Sequence, residues 1–338
     1  MPISYLGIDI AKGDFEIAFG NVDVALLTQD GKPKPKRFAN APEGFDQLQL
    51  WLKQNLVTEL HACLEATGTY GDALARFLVA AGHRVSVVNP SAIRAFARTQ
   101  LSRTKTDKAD AVRIARFCQM HQPTAWTPPA EEVATLQALV RRLEALRQMY
   151  QMEKQRQEGA PPPVHAVHAS VTAVLSVLEE QIAQVEEQIR DHVDRHPNLR
   201  EQSDLLQSIP GIGAATAATL LCELGDWSRF ASARSAAAYV GLVPRIHESG
   251  TSVRGRSALC KIGNGRLRKA LYFPAMNAVR FNPVLQAMAA RLAASGKSKM
   301  AILGAAMRRL VHLAFGVLKS GKPFDANIAL PKANLTTT

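Results

Sequence analysis

The chain opens with two short apolar runs, residues 3–10 (ISYLGIDI) and 15–19 (FEIAF), broken at Lys12, Gly13 and Asp14, and this pattern predicts a hairpin. Further apolar runs at 61–66 (HACLEA) and 84–88 (RVSVV) predict two more strands, with a helix between them over 71–81. A longer helix is expected over 107–120. Strands that come first and then alternate with helices predict an α/β domain, closed by a proline-bounded linker at 123–129 (PTAWTPP). The middle third changes period. Val133, Leu136, Val140, Leu143 and Tyr150 keep a 3-4 spacing that only Arg147 interrupts. After a break at 159–163 (GAPPP) the spacing returns at Val171, Leu175, Leu178, Ile182, Val185 and Ile189. Two such helices around a proline loop predict an antiparallel coiled-coil hairpin. The last third begins with a turn, Ser208-Ile209-Pro210-Gly211-Ile212-Gly213, and continues into helices expected at 214–224, around 271–279 and at 301–317. The expected domains are therefore 1–124, 125–199 and 200–330, with a tail at 331–338.

Composition sharpens this outline. A chain of 338 residues suits two or three domains, and 47% hydrophobic residues can fill their cores. No apolar run reaches the ~20 residues that span a bilayer, so no membrane is expected as a partner. The N-terminal stretch has acids where a signal peptide would be apolar. Four cysteines, Cys63, Cys118, Cys222 and Cys260, form no CxxC pair, which points to reduced thiols in the cytoplasm and to neither zinc nor disulfides. The net charge of +12 is unevenly placed. From Arg229 onward there are 18 Lys and Arg against two acids, Glu248 and Asp325, a net of +16, whereas the first 228 residues carry a net of −4. A segment so basic repels itself unless it meets a polyanion, and nucleic acid is the expected partner.

Four acids stand out. Asp9 and Glu65 each sit near the end of an apolar strand, where a carboxylate is costly without a cation. Asp107 and Asp110, three apart at the start of a helix, share one face. Together the four can hold Mg²⁺ or Mn²⁺ at a phosphodiester. Asp14 and Glu16 are weaker candidates. Taken singly, each acid also has a structural reading, such as a first-turn charge favoured by the helix dipole. In the basic third, Ser249 lies beside Gly250, with Arg254 and Arg256 shortly after, and on spacing alone Ser249 reads as a phosphate-binding loop residue. Lys261, Arg266, Arg268 and Lys269 extend the basic tract toward backbone phosphates. Gly211 and Gly213 suit either a phosphate contact at a helix start or a tight helix–helix turn. Tyr272 and Phe273 are expected in the core. A rival reading takes Gly7-Ile8-Asp9-Ile10-Ala11-Lys12 for the first phosphate motif of the actin-like kinases, but the downstream motifs of that fold are missing.

In order along the chain, Gly7-Ile8-Asp9, Leu64–Tyr70, Lys105–Asp110, Ile209–Gly213 and Glu248–Gly255 resemble the DEDD-type insertion-sequence transposases, the bridge-RNA-guided recombinases that include the Piv DNA invertases. The resemblance implies an α/β, RuvC-like (ribonuclease H fold) N-terminal domain, a coiled-coil middle and a mainly α-helical C-terminal transposase domain. It implies that Asp9, Glu65, Asp107 and Asp110 bind metal and that Ser249 is a nucleophile forming a phosphoserine link to DNA. It further implies a structured guide RNA pairing with target and donor double-stranded DNA, and a homo-oligomer, dimer to tetramer, with a composite active site. The alternative is a RuvC-like junction nuclease in which water attacks.

Overall fold

In the first of two units, Met1–Pro128 and Pro129–Thr338, strands β1 (Ile3–Ile10), β2 (Asn21–Leu27), β3 (Pro33–Ala39), β4 (Glu59–Glu65) and β5 (Arg84–Val88) form one sheet in the order β3-β2-β1-β4-β5. The computed structural model describes residues 3–10, 21–28, 31–66, 70–99, 106–159, 165–245, 248–249, 253–254, 258–260 and 262–329. β1, β2 and β3 are antiparallel neighbours, whereas β4 and β5 run parallel to β1. The predicted strand at 15–19 lies outside the described residues. The antiparallel partner of β1 is instead Asn21–Leu27. That strand is buried on both faces, so it lacks the alternation that marks a half-exposed strand. β3 (PKPKRFA) is a polar edge strand whose prolines hide it from a propensity reading.

Because side chains alternate along a strand, the sheet has two distinct faces. Leu6, Ile8, Val22, Val24, Leu60, Ala62 and Leu64 face one way, into a core shared with α1 (Pro42–Gln54) and α2 (Asp72–Ala80). Cys63 and Val88 face the other, against α3 (Pro90–Thr99) and α4 (Asp107–His121) through Ile93, Phe96, Ile114, Phe117 and Cys118. Gly7 lies beneath α4. A Cβ there would collide with the Ala111 carbonyl oxygen and the Ala115 nitrogen, and would stand 2.9 Å from the Ala115 Cα. Glycine is what lets the helix rest directly on the central strand.

The second unit is helical apart from short ribbons. α5 (Glu131–Gly159) and α6 (His165–Arg195) pair along their length. Their direction is antiparallel, since Glu132 meets His192, Arg147 meets Glu186, and Tyr150 meets Glu179. The helices α7 (Pro197–Gln207), α8 (Ala214–Leu224) and α9 (Ala233–Val240) follow. Two-residue strands β6 (Pro244–Arg245) and β9 (Ala258–Leu259) pair, enclosing β7 (Glu248–Ser249) paired with β8 (Val253–Arg254). The chain continues through α10 (Gly265–Ala270), α11 (Tyr272–Phe281), α12 (Pro283–Ala294), α13 (Lys299–Ser320) and α14 (Ala326–Ala329). One apolar core joins Leu136, Leu143 and Val185 of the hairpin to Leu206, Leu221, Leu271 and Leu310. Among the described residues α13 alone is long and apolar enough on average to cross a membrane. Ten of its residues, from Leu303 to Val317, are buried. The average is apolar because the helix lines a core, while Arg308 and Arg309 still interrupt the run. The proline loop at 161–163 and the tail at 331–338 lie outside the described residues.

The β1–α4 contact yields a direct expectation. Gly7→Val inserts a branched side chain where even a Cβ collides with backbone, and overpacking of this kind costs about 1–3 kcal/mol or more. Urea unfolding of the variant is expected to show a lowered midpoint with an unchanged slope, and a midpoint equal to wild type would mean that α4 does not rest on Gly7.

Candidate functional site

Asp9 and Glu65 arrive at the same end of the sheet for a topological reason. β1 and β4 are parallel neighbours, with Ile8 paired to Leu64, so the next residue on each strand is the acid. Both side chains fall on the α4 face. α4 then brings its first turn to that place. Thr106 caps the helix, its side-chain oxygen accepting from the Ala109 N–H at 3.2 Å, and this fixes Asp107 in the first turn and Asp110 one turn further.

The two strand-end carboxylates feel the acids around them. Asp9 is pushed up from 3.8 to about 6, first by burial and then by the negative charges of Asp110, Asp107, Glu65 and Asp23. Glu65 is also raised, by burial above all, with the cation of Arg94 on α3 pulling down and Asp110 pushing up. All four donors are oxygens of acids, a set that suits a hard divalent cation. Among the described residues no three acid, imidazole or thiol side chains yet converge as a finished cage for an ion. Instead arginines attend the helix acids. Arg37 lies 3.4 Å from Asp107, and Arg113 pairs with Asp110. The acids thus fit a cation in chemistry and in mutual repulsion, while the neutralising charge on α4 comes from guanidinium groups.

Two residues here escaped the sequence reading. Asp23 on β2 stands opposite Asp9 on one side and opposite Arg37 of β3 on the other. Asp23 is fully buried, and Arg37 grips it through Nε at 3.0 and 3.1 Å and Nη2 at 2.7 Å. A row of charge therefore crosses the sheet from Asp9 through Asp23 to Arg37 and reaches Asp107. The available signal was the one that selected Asp9, an acid inside an apolar strand (NVDVALL).

The basic third is less uniform than its charge suggests. Ser249 and Glu248 form the two-residue strand β7, paired with Val253 and Arg254 of β8. Their side chains, together with His247, Gly250, Arg256 and Lys261, lie outside the described residues, as do Thr67–Thr69 and Lys105 of the other motifs. Arg266 approaches Glu223 at 3.8 Å and Glu144 at 3.9 Å. Arg268 donates to the Val240 carbonyl at 2.8 Å, closing the end of α9. Lys269 is exposed. Gly211 has φ +106°, and a Cβ on it would meet the Ala278 Cβ at 2.6 Å, so it seats the turn against α11. Gly213 starts α8 with open space beside it. Phe273, expected in the core, is 71% exposed, because the residues of α11 that face inward are Ala275 and Ala278.

Comparison with known proteins places this arrangement. Residues 6–160 match a transposase family model of the DEDD type named for IS110, and residues 203–290 match the Transposase IS116/IS110/IS902 family. The chain is 36% identical to the pilin gene-inverting protein of Moraxella bovis over 332 residues, covering 97% of this chain and 99% of that protein. The pilin gene-inverting protein of Moraxella lacunata is 35% identical over the same shares of the two chains. The transposase for insertion sequence element IS1328 of Yersinia enterocolitica is 27% identical, covering 80% of this chain and 83% of that protein.

The raised Asp9 gives a pH test. Its folded value of about 6 lies above its ordinary 3.8, so the folded state holds a proton that the unfolded state releases. This group's contribution to stability is complete below about pH 4 and is lost as pH rises through 6. Without divalent metal, Asp9→Asn should therefore melt above wild type at pH 7.5, with the difference vanishing toward pH 4. Parallel melting curves for the two proteins across that range would show that Asp9 carries no such strain.

Proposed function

The chain belongs to the IS116/IS110/IS902 transposase family and is a DNA recombinase, and we propose that it cuts and rejoins DNA through a covalent phosphoserine at Ser249. A divalent cation assists this chemistry, and a structured RNA selects the target and donor sites. The observation that supports the metal half of this reading is the gathering of Asp9 and Glu65, at the ends of adjacent parallel strands, with Asp107 and Asp110 in the first turn of α4, where burial and the charges of Asp110, Asp107, Glu65 and Asp23 raise Asp9. Groups poised in this way concentrate at reacting centres. The DEDD domain type points to divalent-metal dependence, with Mg²⁺ or Mn²⁺ as the proposed ion.

Asp9, Glu65, Asp107 and Asp110 would hold the cation, which when bound supplies positive charge to the scissile phosphate. The Thr106 cap keeps Asp107 and Asp110 on their helix, and the Asp23–Arg37 pair holds the neighbouring row of the sheet. In the proposed reaction the Ser249 Oγ forms a bond to phosphorus as one DNA oxygen leaves, and the serine proton ends on that oxygen. Attack by a DNA hydroxyl on the phosphoserine reverses the step and frees Ser249, so no bond energy is lost. Arg254 and Arg256 are proposed to steady the non-bridging oxygens. Assembly from dimer to tetramer on nucleic acid belongs to the same reading, with the acids of one protomer serving the serine of another. So does the division of the chain beyond residue 124 into a coiled-coil hairpin (125–199) and a basic transposase domain (200–330).

A second reading has a specific observation behind it. The acids alone, in a domain of this type, suit a nuclease in which water is the nucleophile. Trapping decides between the two. Wild type incubated with element-end DNA, the flanking non-coding RNA and Mg²⁺ should give a protein–DNA adduct that survives a denaturing gel. Ser249→Ala should lose the adduct and slow strand exchange on the order of 10⁴-fold or more, as removal of a nucleophile does. Cleavage without an adduct, unchanged in the variant, would hand the reaction to water.

A further inference from the structure

Helix α11 is built to show an aromatic face. Its small residues, Ala275 and Ala278, are fully buried, the latter against Gly211. At 100° per residue, Phe273, Met276, Asn277, Arg280 and Phe281 fall on the opposite side, and all five are exposed. Phe273 and Phe281 are each 71% exposed, so two phenyl rings stand in water on one short helix. Neither end of the face is loose. The Phe273 ring stands edge-on to Tyr272, with centroids 5.4 Å apart and planes at 88°. Phe281 precedes Asn282, which is fully buried and whose side-chain amide donates to the Pro210 carbonyl at 3.3 Å.

The surroundings say what would cover such a face. From Gly265 to Ala294 the chain has five bases, Arg266, Arg268, Lys269, Arg280 and Arg291, and no acid. Lys269, Arg280 and Arg291 are exposed. Flat rings bordered by cations match a polyanion that carries flat aromatic groups. In a duplex those groups are stacked on one another and out of reach, whereas in a single strand, bulge or loop they are available.

We propose that the outer face of α11, with Phe273 and Phe281 flanked by Lys269 and Arg280, stacks on unpaired bases of nucleic acid. This rests on the reading of the chain as a nucleic-acid recombinase and adds which strand state this surface takes. Duplex is held by charge elsewhere in the basic segment, and this helix grips strands that have been opened or never paired.

The experiment uses the full-length protein with a single-stranded oligonucleotide containing 2-aminopurine and with the duplex of the same sequence. Binding is read by anisotropy, and stacking by quenching of the 2-aminopurine. Phe273→Ala/Phe281→Ala should weaken single-strand binding about 10-fold or more per ring and abolish quenching, with duplex affinity unchanged. Phe273→Trp/Phe281→Trp should retain both signals, whereas leucine at the two positions should not. Equal losses on duplex and single strand, or no loss on either, overturn the proposal. If the alanine variant keeps its single-strand affinity but sediments as a smaller species, the face belongs to a second copy of the chain. Wild type that binds neither oligonucleotide would sink the nucleic-acid reading itself, a result distinct from a failure of this surface alone.

Discussion

The contact on which the candidate site depends is the one between β1 and α4. Half of the acids ride on the sheet and half on the helix, so their spacing is set by how closely the two approach. Gly7 sets that distance because a glycine facing Ala111 and Ala115 leaves only backbone and methyl groups between strand and helix. The contact is reinforced below by Cys63 and Cys118, both fully buried, with the Cys118 thiol directed at the His61 carbonyl at 3.6 Å. Those cysteines behave as small apolar residues that pack a helix onto a sheet, a common role for a free thiol. Their place in the chain thus serves the geometry of the acids rather than chemistry of their own.

Close approach gathers like charges, and the structure handles the consequence unevenly. Asp23 is fully buried yet is held by a guanidinium through three hydrogen bonds. Asp9, directly across the sheet from it, feels four acids and keeps its proton up to about pH 6. Arg37 reaches past Asp23 to Asp107, and Arg113 attends Asp110, so positive charge is concentrated on the helix acids and on β2. The strand-end acids, Asp9 above all and Glu65 with it, are left as the strained members. Strain gathered on the strand ends beside acids that have guanidinium partners is a mark of a working site, where stability is given up for function.

Much of this could be read from the residues. The apolar runs around Asp9 and Glu65, the start of α4, the break between the two long helices and the glycine turn before α8 all left local patterns, and the elements lie where those patterns put them. What stayed hidden was non-local. β2 is buried on both faces and so shows no alternation, and β3 is polar because it is an edge strand. Asp23 and Arg37 acquire meaning only through a register that pairs them with each other and with Asp9. Phe273 misled for the opposite reason, since an aromatic residue beside apolar neighbours reads as core until the helix is seen to bury its alanines instead. The four acids stand out by their places on strand ends and helix face, whereas the nucleophile reading of Ser249 comes from the resemblance alone, because spacing does not separate a phosphate-binding serine from a nucleophile.

The division of charge along the chain bears on how these parts work together. The acids crowd one end of a sheet within the first 228 residues, whose net charge is −4, and that end by itself repels a phosphodiester. The segment from Arg229 onward carries +16 and attracts one without regard to sequence. On the proposed reading, holding DNA and reacting with it are therefore separable. In the proposed reaction the basic segment would need no cation to bind, whereas a scissile phosphate would come to rest among the four carboxylates only when positive charge offsets theirs. On the proposed reading Asp9, Glu65, Asp107 and Asp110 would admit a phosphate only with a divalent ion held among them, so that chemistry would wait until acid cluster, ion and held DNA coincide.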